Sequence, residues 1–217
     1  MSAEDTPDDT PEEDGPEDDA PEPDAPVDPE TARSAKLFGT WEIGELEYQD
    51  PSTKRYLTVT PIAHTMGRHA GKQFQKSEVS VVERLINRLM QTDENTGKKQ
   101  QTTRLVREAF ETIHERTDEN PIQVLVRAVE NAAPREETVR LKYGGISVPQ
   151  AVDVAPQRRV DQALGFIARG VYNNSFKAPV DAADALAEEL MGTANYDMQV
   201  YTINQKEEQE RVAAAAR

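Results

Sequence analysis

Residues 136–160 read EETVRLKYGGISVPQAVDVAPQRRV, and the hydrophobic pattern changes here. Val139, Leu141 and Tyr143 alternate with Arg140 and Lys142. Gly144 and Gly145 follow, then Ile146 and Val148, then Val152 and Val154. A period of two around a Gly-Gly pair is the pattern of a β-hairpin. Pro149 has no backbone N–H to give a ladder, which confines its strand to an edge. Pro156 then opens a helix with Val160, Ala163, Leu164, Ile167, Ala168 and Val171 on one face. No other strand candidate lies near. The ribbon, 136–154, is therefore expected to project from a helical body.

On either side of this stretch the spacing is helical. Ser77 is a plausible N-cap for Val79, Val82, Leu85, Ile86, Leu89 and Met90. The turn Asp93–Gly97 ends that element. Leu105, Val106, Ala109, Phe110 and Ile113 make a second stripe. Asn120 caps a third helix, with Pro121 at its first position and Ile122, Leu125 and Val129 inside. After the Pro156 helix, Pro179 opens a fifth, with Asp181 and Asp184 in its first turn, where carboxylates suit the helix dipole. The last element, about Asn204–Arg217, is polar and alanine-rich. The expected fold is mainly α: a six-helix body, one protruding β-hairpin, and a disordered acidic N-terminal tail.

The chain has 217 residues, with 40 acids against 25 bases and a net charge of −15. A nucleic-acid binder usually carries a basic patch, so the average argues against one. The average misleads. Residues 1–30 hold 14 of the acids, seven of the 14 prolines and no Lys or Arg. Such a segment cannot offset its ordering entropy by burial. The acidic tail, taken as 1–33, is read as a solubilising extension in preference to an interaction tail or nucleic-acid mimic. Residues 31–217 carry the other 26 acids and all 25 bases, and 34–217 are read as one domain. Leu37, Phe38 and Trp41 form a small apolar cluster suited to anchoring the tail. No run of 18 apolar residues exists, so no membrane span is expected. No basic n-region or apolar h-region opens the chain. There is no cysteine, which excludes disulfides and thiolate chemistry.

An enzyme reading starts poorly. No Gly-rich phosphate loop is present, and Gly144-Gly145 lies between strands. His64 and His69 are five apart, which misses the i,i+4 geometry of paired ligands on a helix. His114 stands alone. Pairs such as Glu188-Glu189 and Glu207-Glu208 are adjacent on helices and look like solvated faces. No catalytic residue, metal or cofactor is expected.

A nucleic-acid reading has better physics. The window 51–77, an N-terminal basic extension, contains no Asp or Glu but carries Lys54, Arg55, Arg68, Lys72 and Lys76, with His64 and His69. If Gly67–Lys76 is helical, Arg68, Lys72 and Lys76 share one face and repel unless a polyanion lies across them. Gly97 is followed by Lys98 and Lys99 at the start of the second helix. Arg140 and Lys142 share one face of the hairpin. Arg158 and Arg159 sit in a first helical turn, where cations oppose the dipole unless an anion is bound there. An exposed pair tolerated in solution is the competing reading. On the phosphate reading, reversing both charges weakens RNA binding and leaves stability nearly unchanged.

Longer motifs carry a resemblance. They are Leu37-Phe38-Gly39 with Trp41, His64 through Lys76, Val82-Glu83-Arg84-Leu85, and Asn95 through Lys99. Ala109 through His114, Glu119 through Val126, Pro134-Arg135-Glu136, Gln150 through Val154, Pro156 through Val160, and Leu186 through Leu190 follow in order. On these, residues 37–217 resemble the universal small-subunit ribosomal proteins of the S-seven family, in their archaeal and eukaryotic form. The resemblance implies the six-helix body and ribbon. It implies direct binding to the 3′ major domain of 16S rRNA, where the family nucleates assembly of the head. It also implies a place at the subunit interface, near the decoding centre, messenger RNA and the exit-site tRNA. The ribbon tip, Tyr143, Gly144, Gly145 and Ile146, would point toward that tRNA and the neighbouring protein S-eleven.

Two departures stand out. Family ribbons tend to be strongly basic, and here Tyr143, Ile146, Ser147 and Val148 occupy the tip. Gln73 and Gln75 stand where relatives often carry cations. They share a cause: high acid content and 16 Arg against nine Lys look like a protein from a salt-loaded cytoplasm, as in a halophilic archaeon. Counterion release weakens steeply with salt, so arginine geometry, hydrogen bonds and shape would carry more of the binding. The rival from another class is a free helical nucleic-acid-binding regulator, which needs a self-contained recognition helix and usually a dimer face.

Overall fold

A computed structural model describes residues 36–44, 46–69, 71–90 and 95–217. The expectation for the acidic tail and the first two residues of the turn at 93–97 lie outside the described residues. Two short strands, β1 (Lys36–Leu37) and β2 (Trp41–Glu42), pair antiparallel at the start. A one-turn helix, α1 (Pro51–Lys54), and a 3-10 turn at Gln75–Ser77 follow. The body is built from α2 (Val81–Leu89), α3 (Lys99–Thr117), α4 (Pro121–Ala132), α5 (Pro156–Ser175), α6 (Ala182–Ala194) and α7 (Tyr201–Ala215). Between α4 and α5 stand β3 (Glu136–Tyr143) and β4 (Ile146–Asp153). Among the described residues this is six multi-turn helices with one projecting hairpin, as the periodicities indicate.

The stripes read from the sequence meet in one core. Leu85 and Ile86 of α2, Phe110 and Ile113 of α3, Ile122 and Leu125 of α4, Ile167 of α5 and Leu186 and Leu190 of α6 are all fully buried there. Burying a side chain of this size stabilises by about 1.5–3 kcal/mol relative to exposure. The N-terminal segment belongs to the same core. Leu37, Trp41 and Leu57 are buried in it, and Trp41 meets the His114 ring edge-on at 5.0 Å. Its backbone is also clamped to α4. Glu47 and Gln123 exchange two hydrogen bonds of 3.0 and 2.9 Å, and the Glu130 carboxylate accepts from the N–H groups of Gln49 and Asp50.

Local signals hold where they are strong. Asn120 caps α4, its Oδ1 accepting from Ile122 N at 3.0 Å. Gly144 and Gly145 take φ of 55° and 91°, the positive pair that a two-residue hairpin turn of the primed type needs. The ladder runs from Glu136↔Asp153 to Tyr143↔Ile146, with Pro149 opposite Arg140. In a two-stranded ribbon both strands are edges, so the missing N–H costs little.

Three boundaries shift. The first long helix begins at Val81, not after Ser77, whose hydroxyl instead donates to Phe74 O at 2.8 Å. The fifth begins at Ala182, with Asp181 rather than Pro179 at its threshold. The last begins at Tyr201, three residues before the expected Asn204, because Glu189 supplies a cap from α6. Its Oε1 accepts from Thr202 N at 2.9 Å and from Thr202 Oγ1 at 2.5 Å. A cap donated by another helix leaves no local sequence signature.

Candidate nucleic-acid interface

The basic residues divide into those that face outward and those spent inside. Arg158 and Arg159 show the division at a single step of α5. One residue turns a helix by about 100°, from 3.6 residues per turn. Arg158 is 59% exposed and grips Glu137 at the ribbon's base, with Nε and Nη2 each 2.9 Å from a different carboxylate oxygen. Arg159 is only 8% exposed. Its Nε donates to Pro134 O at 3.2 Å, its Nη1 to Ser52 Oγ at 2.5 Å and its Nη2 to Asp50 Oδ2 at 2.9 Å. Both readings of the pair, phosphate ligands or exposed arginines tolerated in solution, need two outward-facing side chains, and Arg159 faces inward. Arg159 joins α5 to α1 and satisfies the carbonyls that follow α4, where a cation suits the helix dipole. Burial raises the Asp50 carboxyl, and hydrogen bonds from Ser52 and Arg159 override it, so it titrates below the usual range.

The stretch Gly67–Lys76 forms no α-helix among its described residues; only its last two residues enter the 3-10 turn at Gln75–Ser77. Met66, Gly67 and Phe74 all have positive φ, at 51°, 74° and 66°, and these reversals break any continuous face. Arg68 and Lys72 are exposed on turns. His64 is exposed and its Nδ1 accepts from Met66 N at 3.2 Å, while the His69 Nδ1 lies 3.2 Å from Glu78 Oε2. Lys76 turns away from the others and pairs with Asp161 of α5.

That pairing exposes a feature the sequence reading missed. Lys76, Arg84, Asn87, Arg88, Arg158, Asp161 and Gln162 line a concavity of about 440 Å³ between α2 and α5. Four basic side chains and the Asp161 carboxylate line it, and Arg158 is held by Glu137. Arg84 donates to Asp161 Oδ1 at 2.8 Å and to Tyr56 O at 2.9 Å, and Arg88 reaches Asp161 O at 3.4 Å. Burial raises Asp161, but the bonds from Lys76 and Arg84 prevail and hold it below its ordinary value. Asp161 thus stays charged and positions Lys76 and Arg84 at the rim of the concavity. The available signal was Arg84 and Arg88 at i,i+4 on one helix. Such a concavity suits the phosphates of a polyanion.

The remaining sites are mixed. Lys98 is exposed before α3. Lys99 donates to Glu83 Oε1 at 2.6 Å. Glu83 is almost fully buried; burial raises its pKa, and bonds from Lys99 and Thr65 N outweigh that and lower it. Lys99 therefore holds the scaffold beneath Thr65. Lys54 lies 5.6 Å over the Tyr48 ring, and Arg55 is exposed just after α1. On the ribbon Arg140 and Lys142 are exposed, as are Gly144, Gly145 and Ile146, while Tyr143 ends β3 opposite Ile146. The ribbon's base is moored to α7, through Arg135 N to Glu210 Oε1 at 2.8 Å and through the Glu136–Arg217 ion pair. No described helix is long and apolar enough to cross a membrane.

A family model described as ribosomal protein S7p/S5e matches residues 52–217. The chain is 72% identical over 220 residues to small ribosomal subunit protein uS7 of Haloarcula marismortui, covering 100% of both chains. It is 76% identical over 188 residues to the uS7 of Halococcus morrhuae, covering 87% of this chain and 93% of that one. With the uS7 of Methanothrix thermoacetophila it shares 55% over 184 residues, covering 84% of this chain and 100% of the relative. The first two relatives come from halophilic archaea, in keeping with the composition.

Proposed function

Because the chain belongs to the ribosomal protein S7p/S5e family, we propose that it is a structural constituent of the small ribosomal subunit that binds 16S rRNA directly. It is not an enzyme. The observation that carries direct RNA binding is the concavity between α2 and α5, which Lys76, Arg84, Arg88 and Arg158 line together with Asp161. The exposed Arg55, Arg68, Lys72 and Lys98, with Lys54, His64 and His69, are assigned to the same binding role. Arg140 and Lys142 extend the basic surface along the ribbon. Arg159 and Lys99 hold the elements that present it. Through this surface the protein nucleates assembly of the head on the 3′ major domain. Its place is the subunit interface near the decoding centre, messenger RNA and the exit-site tRNA.

The test is binding to a transcript of the 3′ major domain in molar potassium chloride. There the Debye length is about 3 Å, so contacts at hydrogen-bond range survive while diffuse attraction does not. Wild type should still bind. Arg68→Glu, Lys72→Glu and Arg158→Glu together should weaken it by roughly tenfold or more, since a charged hydrogen bond contributes about 1.5–3 kcal/mol. Binding confined to low salt would overturn the reading.

The ribbon should separate folding from assembly. Its outer half buries little, and Ile146 is 70% exposed. Isolated hairpins are marginal in water and add little to a core. Replacing Arg140–Val148 by a short turn should keep the helical circular dichroism and weaken transcript binding. Subunits assembled with the shortened protein should be impaired on the exit-site side. The apolar tip suits stacking, or packing against a protein such as S-eleven, better than charge steering. Unfolding of the shortened protein would show instead that the ribbon belongs to the core.

A further inference from the structure

A second cavity, of about 420 Å³, lies beside the first and is lined by Arg55, Tyr56, Gln73, Phe74, Gln75, Ser77 and Glu78. That volume is within the range of small-ligand sites, roughly 300–1,000 Å³. We propose that this cavity takes a single unpaired RNA base, stacked on Phe74 and flanked by Tyr56. The proposal rests on the rRNA-binding reading and goes beyond it in naming where a base, as distinct from the backbone, is held.

Phe74 is 65% exposed, on a surface where burial would have been the cheaper placement for a ring. Its φ of 66° is a left-handed conformation that a bulky residue rarely adopts, costing roughly 1–3 kcal/mol. The surroundings enforce it. The Phe74 carbonyl accepts from Ser77 Oγ at 2.8 Å, Ser77 N at 3.3 Å and Gln157 Nε2 at 3.4 Å. These three bonds fix the Phe74 backbone, from which the exposed ring projects. Across the cavity Tyr56 is half-buried, and its carbonyl is fixed by Arg84 at 2.9 Å. Among the described residues neither ring is paired with another.

The polar lining matches a base edge better than a phosphate. Gln73 and Gln75 offer amides that both donate and accept, the geometry that reads a base. The Gln73, Gln75 and Arg55 side chains make no hydrogen bond or ion pair among the described residues. Arg55 supplies a planar guanidinium for stacking or for the adjoining phosphate. Glu78 adds an acceptor, already shared with His69 at 3.2 Å, which a phosphate would meet with repulsion and a base amino group would not. Stacking is also indifferent to salt, unlike counterion release, so it suits the solvent inferred from the composition.

The experiment compares wild type, Phe74→Ala and Phe74→Tyr for binding to the 3′ major domain transcript at several molar salt concentrations. Circular dichroism verifies that all three are folded. Phe74→Ala should bind roughly 5- to 150-fold more weakly, the equivalent of about 1–3 kcal/mol for one stacked base. The loss should be equal at every salt concentration, and Phe74→Tyr should restore binding. If wild type binds and Phe74→Ala matches it, or if Tyr fails to restore it, the base pocket is wrong while the rRNA reading stands. If wild type fails to bind the transcript, the rRNA reading falls first and the pocket with it.

Discussion

Arg159→Glu should remove a large part of the protein's stability, whereas Arg158→Glu should leave stability nearly unchanged and weaken its hold on RNA. The substitution at 159 removes donors to Pro134 O, Ser52 Oγ and Asp50 Oδ2 and puts a second carboxylate against Asp50. Breaking a buried ion pair from one side costs about 3–5 kcal/mol. A typical domain has only about 5–15 kcal/mol in total. Arg159→Lys should fall between, because a single ammonium cannot reach the hydroxyl, the carboxylate and the carbonyl with a fork's geometry. Arg158 loses only a surface grip on Glu137, and exposed pairs contribute about 1 kcal/mol or less. Denaturant melts of the three variants in molar potassium chloride check this. Equal stability of Arg158→Glu and Arg159→Glu would refute the inward role of Arg159. The double reversal expected from the sequence to leave stability nearly unchanged is expected, with the structure in hand, to be among the most destabilising changes in the chain.

This contrast shows where sequence reading ends. The ribbon was legible because its signals are local: alternation from Val139 to Val148 and two glycines that alone tolerate the turn. Asn120-Pro121 was legible because a cap and the residue it serves are neighbours. The fates of Arg158 and Arg159 were not legible. They are adjacent, chemically identical and both in a first turn, and what separates them is Asp50, 109 positions away. Charge spacing failed for a related reason. Arg68, Lys72 and Lys76 match a helix face by arithmetic, but repulsion among cations does not make a helix, and positive φ at Met66, Gly67 and Phe74 ends one. The arithmetic that did matter, Arg84 and Arg88 on α2, was masked by reading that segment only for its apolar stripe. The basic interface therefore emerged from the sequence as a set of residue types, while the structure supplies which of them line a common concavity and which brace it.

Gly170→Ala offers the sharpest conflict between local propensity and packing. Within a helix interior, alanine is better than glycine by about 1 kcal/mol, so sequence alone predicts stabilisation of α5. The structure predicts the opposite. A Cβ at 170 would lie 2.4 Å from Glu189 Oε1, 2.6 Å from its Cδ and 3.0 Å from Oε2. Oε1 is the atom that accepts from Thr202 N and Thr202 Oγ1, so the carboxylate cannot retreat without uncapping α7. Asn174 Nδ2, donating to Oε2 at 3.2 Å, holds it from the other side. Overpacking costs about 1–3 kcal/mol. A lost cap adds about 1 kcal/mol. Net of the propensity gain, the variant should be less stable by about 1–3 kcal/mol, a fall in Tm of roughly 2–12 °C for a chain of this size. The pH dependence distinguishes the cause. Burial raises the Glu189 pKa, and the bonds from Thr202 and Asn174 only partly offset it. A carboxyl whose native value is raised contributes stability below its unfolded pKa and loses it as pH rises through the native one. If the added methyl drives the carboxylate toward water, that contribution fades, and the gap between wild type and Gly170→Ala should be widest at acid pH. A variant as stable as wild type across the range would mean that α5 and α6 can separate freely at this contact, and that Glu189 does not cap α7.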